Sequence, residues 1–216
     1  MRTNIKEAKM KALAGIIAAA ALVGPAVASD LGGHWFDGGV VLYGQDSDRG
    51  GAKAEVRLNL APEEPEAAIY LGLGVGYGSW KTKPIPTRKQ TDSFNNVILT
   101  KQTFLDFGPG ISWKKTYHLA IGLTALSYKT DVVRHTPASD YSTDPADPAN
   151  GSAWGGFGEV GYELPIGHWL ACLSVGYRET RGNETTTCTN AAGSQVESKF
   201  KPIKGFYGSI GLRMRF

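Results

Sequence analysis

The feature that most constrains the fold of this chain is a two-residue alternation of apolar side chains with polar or small ones, repeated along most of the sequence. Successive side chains of a β-strand point to opposite faces, so this alternation is typical of strands with one apolar face. The clearest segment is 69–78, in which large apolar residues alternate with Tyr70 and four glycines. Apolar residues at the three- and four-residue spacing of a helix are almost absent from these segments. The pattern therefore predicts an all-β protein.

Eight segments carry the alternation, and we expect each of them to form one strand. They lie at about 35–45, 52–60, 69–78, 97–113, 117–129, 153–164, 169–179 and 206–216.

Two of these segments are less regular than the others. In the first, Val40 and Leu42 are expected on the apolar face, although Val41 and Tyr43 form a competing stripe. In the fourth, Pro109 lies where a paired strand needs a backbone donor, and a β-bulge at that point would reverse the facing of the residues on one side of it.

The connections between the segments alternate in length. The short ones are Ala61–Ala67, Lys114–Thr116 and Pro165–His168, and the longer polar ones are 46–51, 81–96, 130–152 and 180–199. In an antiparallel up-and-down meander, every second connection lies at the same end of the sheet. The long loops should therefore form one rim of a single barrel domain, and the short turns and the chain ends the other rim.

The minority face of the strands indicates which side of the barrel is apolar. It contains many of the 28 glycines, together with Arg178 and with seven further charged residues of both signs: Glu55, Arg57, Asp106, Glu159, Glu163, Arg213 and Arg215. A narrow barrel interior has room for glycine between bulky residues, and charges buried there can pair. We therefore expect these seven residues to form a charge network in the lumen, with the apolar face turned to lipid. The predicted fold is an eight-stranded antiparallel up-and-down transmembrane β-barrel.

Residues 1–28 have the three parts of a cleaved secretory signal peptide. A basic start is followed by an apolar run from Ala12 to Val23 and by the small-residue motif at 26–28, so the mature domain should be 29–216. The apolar run is too short to cross a bilayer as a helix. The net charge of +3 arises within this leader, and the balanced remainder gives no support for binding nucleic acid.

The last strand ends the chain on alternating apolar residues and a terminal aromatic: Phe206, Ile210, Leu212, Met214 and Phe216. With this strand and the meander, the chain resembles the small eight-stranded outer-membrane barrels of Gram-negative bacteria, such as the OmpA transmembrane domain, OmpX, Ail and the opacity proteins. The resemblance implies insertion in the outer membrane among its lipids and lipopolysaccharide. It also implies that the last strand is a signal for the barrel-assembly machinery. It implies no single activity.

Catalytic and metal-binding patterns are weak in this sequence. His135 is the only histidine well placed in a long loop, with Ser139 and Asp140 nearby, and no His, Cys and carboxylate spacing typical of a metal site occurs. Cys172 and Cys188 are expected to be free thiols, with a disulfide between them as the alternative if the loop that carries Cys188 folds back. We therefore expect no catalytic site, metal or cofactor.

The sequence thus predicts a non-enzymatic outer-membrane barrel that contributes to envelope structure, or to surface or host interactions through its long loops. The alternatives are a small-solute channel, a soluble periplasmic lipocalin-like binder and a lipid A-modifying enzyme.

Overall fold

The structure is a computed structural model that describes residues 35–46, 49–60, 67–82, 96–114, 116–135, 142–143, 149–189 and 195–216. The predicted signal peptide, 1–28, lies outside the described residues. The strands are β1 (Phe36–Asp46), β2 (Arg49–Asn59), β3 (Ala67–Thr82), β4 (Asn96–Trp113), β5 (Tyr117–His135), β6 (Ser142–Thr143), β7 (Asn150–Ile166), β8 (Trp169–Thr180), β9 (Glu184–Thr189), β10 (Gln195–Phe200) and β11 (Lys204–Arg215). Across these ranges, no helix has the length and apolar character needed to cross a membrane.

Eight of these strands close into one antiparallel barrel. The order around the barrel is β1, β2, β3, β4, β5, β7, β8 and β11, and β11 returns to β1 with Arg215 opposite Asp37. All eight barrel strands are joined to both neighbours by backbone hydrogen bonds, so no barrel strand has an open edge. The prediction of an all-β, eight-stranded up-and-down barrel is confirmed.

Side chains alternate strictly between the outside and the lumen along these strands. Leu173 and Ile210 are each 62% exposed on the outer surface, whereas Leu170 on the lumen side is 1% exposed. The competing stripes of the first segment are resolved in the same way, because Leu42 points outward while Val41 and Tyr43 are buried. The apolar face is therefore the outer face, as the minority face of charges and glycines predicted.

No β-bulge occurs at Pro109 in the described strand β4, so the facing of its residues is the same on both sides of the proline. Leu71 pairs with Pro109 and the register between β3 and β4 stays constant, while Pro109 itself points outward. The proline lies in a short lapse of the pairing with β5, so the hydrogen bond that it cannot donate is simply missing from the ladder. The register shift occurs instead where Leu99 and Thr100 pair with Val132 and Thr130.

All four of the predicted long connections contain strand residues, and in the third, 130–152, these are the end of β5, the short β6 and the start of β7. The first was expected at 46–51, but Tyr43 and Gly44 pair with Gly51 and Gly50, so β2 already begins at Arg49. The two glycines are part of the strand because they leave room for neighbouring backbone and for the Tyr43 ring. The fourth, 180–199, contains the hairpin formed by β9 and β10. Its threonine-rich sequence suits a strand even though it lacks an apolar stripe.

Candidate functional site

The lumen contains the densest group of interacting polar side chains in the described part of the chain, and Arg213 is at its centre. Arg213 is an inward residue of β11 and is 1% exposed. Its guanidinium donates to Glu55 across the β1 strand and, through Nη1, to Glu163 Oε1 at 2.5 Å. Arg57 Nη1 donates to the same Glu163 oxygen at 2.6 Å. Strands from opposite sides of the barrel are therefore joined through four charged residues.

A second branch of the network runs toward β4 and β8. Lys53 Nζ lies 2.9 Å from Glu55 Oε2 and 3.9 Å from Asp106 Oδ2. Asp106 also accepts a hydrogen bond from Arg178, whose guanidinium carbon lies 4.3 Å from the centroid of the Phe104 ring. The arginine is thus held by a carboxylate on one side and an aromatic face on the other.

A third branch passes through His118 on β5. Its Nε2 lies 3.2 Å from Glu159 Oε1, and its Nδ1 lies 3.2 Å from Glu163 Oε1. The Tyr207 hydroxyl donates to the other oxygen of Glu159 at 2.9 Å. With both nitrogens of its ring near carboxylates, His118 links the two glutamates of β7, which are the inward residues Glu159 and Glu163.

Six of the seven residues predicted for the lumen network therefore lie together in the lumen. Arg215 does not join them: it is half-exposed at the end of β11, and its electrostatic neighbour is Asp37 at the adjacent end of β1.

Three members of the network were not among the predicted site residues: Lys53, His118 and Arg178. All three have the inward parity of their strands, and Arg178 was placed on that face without being assigned to the network. Lys53 lies inside the second predicted segment, with the parity of Glu55 and Arg57, but it was not assigned to the network. His118 was considered only as a histidine for catalysis, and His135 alone was judged well placed for that role.

A second layer of different chemistry lies above the charged one, toward the long-loop rim. It is a cluster of buried apolar and aromatic side chains: Tyr43, Trp80, Ile98, Phe104, Leu126, Tyr128, Phe200, Ile203 and Tyr207. We call these nine residues the aromatic plug. Its side chains come from barrel strands and from the segment 200–203 that precedes β11.

Segment 200–203 is held inside the barrel mouth by hydrogen bonds that its backbone carbonyl groups accept. The Pro202 carbonyl accepts from Thr100 Oγ1 at 2.9 Å, and the Ile203 carbonyl accepts from the Thr180 amide at 2.9 Å. Phe200 and Ile203 have no measurable exposure. The sequence analysis missed both residues because they fall outside the period-two pattern.

Little free space remains in the described lumen. Between the charged side chains lies a cavity of about 30 Å³, lined by Lys53, Glu55, Arg57, Asp106 and Glu159 among others. That volume accommodates a few water molecules at most. The charged layer and the aromatic plug thus fill the barrel interior with side chains.

The catalytic and metal possibilities remain without structural support where the chain is described. The side chain of His135 lies outside the described residues, as do Ser139 and Asp140. Within the described ranges, no three His, Cys, Asp or Glu side chains are arranged to hold a metal ion. Cys172 is a buried free thiol beside Arg213, at 2.8 Å from Nη1, and the Cys188 side chain is outside the described residues.

The predicted assembly-signal residues occupy the outer face of β11. Phe206, Ile210 and Leu212 are exposed, while Met214 and Phe216 are half-buried near the chain end. Phe206 packs edge-on against Tyr177 of β8, with the ring centroids 5.0 Å apart.

Comparison with solved structures identifies proteins of similar fold. A major outer membrane protein from Thermus thermophilus has a TM-score of 0.53 and 14% identity, with 84% of this chain and 98% of that chain covered. Ail, the attachment invasion locus protein of Yersinia pestis, has a TM-score of 0.39 and 11% identity, with 84% and 96% covered. The outer membrane protease OmpT from Escherichia coli has a TM-score of 0.36 and 11% identity, with 78% and 64% covered.

Comparisons of the sequence with protein-family models and with curated proteins find no match. The likeness to the Thermus protein, at 14% identity, concerns the fold alone. Together with the closed antiparallel ring of strands, it shows that this chain has the fold of the outer-membrane β-barrels, here built from eight strands.

Proposed function

We propose that the protein is a non-enzymatic integral outer-membrane barrel with a closed lumen, which contributes to envelope structure and carries its long loops at the cell surface. The observation that supports this proposal is the sidedness of the barrel. Outward residues such as Leu123 and Val175 are more than 60% exposed, while Arg178 and Arg213 are buried inside. In water this arrangement would expose an apolar belt and bury ions; in a bilayer it matches both environments.

The dimensions of the outward stripe fit a bilayer. On β4, outward residues from Thr103 to Trp113 separate the exposed Lys101 from the short-turn rim. A tilted membrane strand needs about 9–11 residues to cross a belt roughly 25 Å tall. At the short-turn rim, where an aromatic girdle is expected, the Tyr117 ring contacts the rings of Trp113 and Tyr162.

The biogenesis that follows from this proposal uses both ends of the chain. Residues 1–28 would direct export and be cleaved, and the outward face of 206–216 would present the assembly signal to the barrel-assembly machinery. The outer-membrane lipids, including lipopolysaccharide, would surround the belt. Surface or host ligands would meet the loops and the hairpin of β9 and β10, which lie beyond the belt.

The sidedness can be tested with the protein's own tryptophans. We would compare two single-tryptophan variants, one retaining Trp169, which is 49% exposed, and one retaining Trp80, which is fully buried. Each would have its other tryptophans replaced by phenylalanine and would be folded into vesicles with brominated acyl chains. Quenching of Trp169 together with protection of Trp80 supports the proposal. Equal quenching, or a chain that remains in solution without detergent, overturns it.

A closed lumen separates this proposal from a small-solute channel. In planar bilayers the folded protein should give no large, stable conductance steps, because the charged layer and the aromatic plug fill the interior. Stable steps would show that the channel alternative is correct. Overexpression should also leave the mass spectrum of lipid A unchanged, whereas a new lipid A species would indicate a lipid-modifying enzyme.

A further inference from the structure

We propose that the outer surface of β3, β4, β5 and β7 has a binding site for a phosphorylated, multiply acylated glycolipid of the outer leaflet, the chemistry of lipid A. This inference rests on the proposed function, since it needs the barrel to be embedded in an outer membrane. The site consists of three successive rows of outward side chains across the four strands, and we call it the lipid groove.

The first row contains two lysines as direct cross-strand neighbours. Strand pairing aligns Ser79, Lys101, Lys129 and Asn150 across β3, β4, β5 and β7. Both lysines are exposed on the outer face. Two adjacent cations at a membrane surface attract the anionic headgroup of a lipid. The row thus combines two cations with a hydroxyl and an amide, the groups that bind phosphate.

The second row, one pleat closer to the membrane, is rich in hydroxyl groups. It aligns Tyr77, Thr103, Ser127 and Ser152, and all four side chains are exposed. Hydroxyl groups can donate to and accept from the oxygens of a phosphate or a sugar. This row lies at the level where a lipid headgroup meets its acyl chains.

The third row is apolar and continues the groove into the belt. It aligns Val75, Leu105, Ala125 and Trp154, and a shallow depression on the surface is lined by these residues and by Ala153. Ala125 is small, so the groove floor is low between Leu105 and Trp154. The succession of cations, hydroxyls and apolar residues reproduces the polarity of a phosphorylated lipid from headgroup to chain.

The width of the lipid groove favours a broad headgroup. Four strands at a spacing of about 4.8 Å give a row roughly 14 Å wide. A single glycerophosphate would occupy only part of that width, whereas a phosphorylated disaccharide with several chains would occupy most of it.

The far side of the barrel shows that the lysine pair is a local feature. At the same rim, Lys204 of β11 is paired with Glu179 of β8, and Lys201 forms an ion pair with the same glutamate. The strand pairing there places a cation directly opposite a carboxylate. In the first row of the lipid groove it places one lysine directly opposite another, so two cations lie side by side at the level of the lipid headgroups.

The test uses purified, folded full-length protein in dodecylmaltoside micelles, titrated with bisphosphorylated lipid A. The double variant K101Q/K129Q should bind at least about tenfold more weakly than the wild type, since each lysine at a membrane surface contributes measurably to binding an anionic lipid. The matched control K199Q/K204Q removes two exposed lysines elsewhere and should change the affinity less than about twofold. Dephosphorylated lipid A should bind the wild type as weakly as lipid A binds the double variant.

Three results would overturn the site. They are equal affinity of the wild type and K101Q/K129Q, an equal loss in K199Q/K204Q, and phosphatidylglycerol binding as tightly as lipid A. The last result would reassign the groove to anionic phospholipids in general. Heat-modifiable migration on a detergent gel is measured on every preparation. A barrel that migrates as folded yet fails to bind overturns only the lipid groove, whereas a soluble chain overturns the proposed function itself.

Discussion

The two layers of the lumen are stabilised by different interactions. In the charged layer, Arg213, Glu55 and Glu163 are buried, and each is kept there by an oppositely charged partner. In the aromatic plug, Phe200 and Ile203 are just as buried but are held by packing and by backbone hydrogen bonds. The charged layer depends on ion pairing and the aromatic plug on packing. Removing one side chain should therefore have different consequences in the two layers.

The largest effect is expected from Arg213→Met. This change leaves Glu55 and Glu163 buried with fewer cations, and breaking a buried ion pair from one side costs about 3–5 kcal/mol. The free energy of unfolding, measured by urea titration of tryptophan fluorescence in lipid vesicles, should fall by that amount. Arg215→Met is the matched control on the same strand and should cost less than about 1 kcal/mol. Equal losses in the two variants would show that pairing does not hold the charged layer.

Ile203→Ala tests the aromatic plug by the same measurement. Truncation of a fully buried isoleucine leaves a cavity and should cost about 2–5 kcal/mol. Because the isoleucine side chain has no ionic partner, the loss should be insensitive to salt. Lys199→Ala, at an exposed position of β10, is the control and should change the free energy of unfolding by no more than about 0.5 kcal/mol. A salt-dependent loss in Ile203→Ala would contradict the distinction between the layers.

Periodicity could predict the charged layer because its residues belong to regular strands. In β7, Glu159 and Glu163 are an even number of positions apart and therefore face the same side of the sheet. The same rule placed Asp106 in the lumen despite Pro109 nearby. Which charge pairs with which could not be predicted, because partners such as Glu55 and Arg213 are brought together only by barrel closure.

The aromatic plug could not be predicted, because part of it comes from a segment outside the alternating pattern. Segment 200–203 has no alternation of its own, and it is held in the barrel because Thr100 and Thr180 donate hydrogen bonds to its carbonyl groups. The hairpin of β9 and β10 was missed for a related reason, since its strands pair only with each other. Strands without an apolar face leave no stripe in the sequence.

Gly76→Ala sharpens the boundary between the two layers. A Cβ on Gly76 would collide with the Phe104 ring, which lies at the edge of the plug and against Arg178 of the charged layer. The ring must shift, and overpacking of this kind costs about 1–3 kcal/mol. Gly208→Ala is the matched control, because its nearest atom would be the Ser174 carbonyl oxygen at 3.9 Å. Similar unfolding free energies for the two variants would show that Phe104 has room to move.

The smallest effect is expected at the partly exposed ion pair that tethers the plug segment at the long-loop rim. Glu179 lies just beyond Tyr177, the last aromatic of the outward stripe of β8, and pairs with Lys201. The hydrogen bond from the Lys201 ammonium, with a second from the Tyr177 hydroxyl, lowers the pKa of Glu179 below its ordinary value. A carboxyl group whose pKa is lower in the folded state than in the unfolded state stabilises the fold at pH values above its unfolded-state pKa. This stabilisation is lost as the pH falls through the folded-state pKa.

Glu179→Gln should therefore lower the unfolding free energy at pH 7 by less than about 1 kcal/mol, because the pair is partly exposed. The difference from the wild type should shrink as the pH is lowered below about 4, where the wild-type carboxylate also becomes neutral. Glu197→Gln, on the exposed face of the hairpin, is the control and should show no comparable change. A difference that persists unchanged at pH 3 would mean that Glu179 holds the plug by its shape. The tether would then depend on packing, as the aromatic plug does, rather than on charge pairing, as the charged layer does.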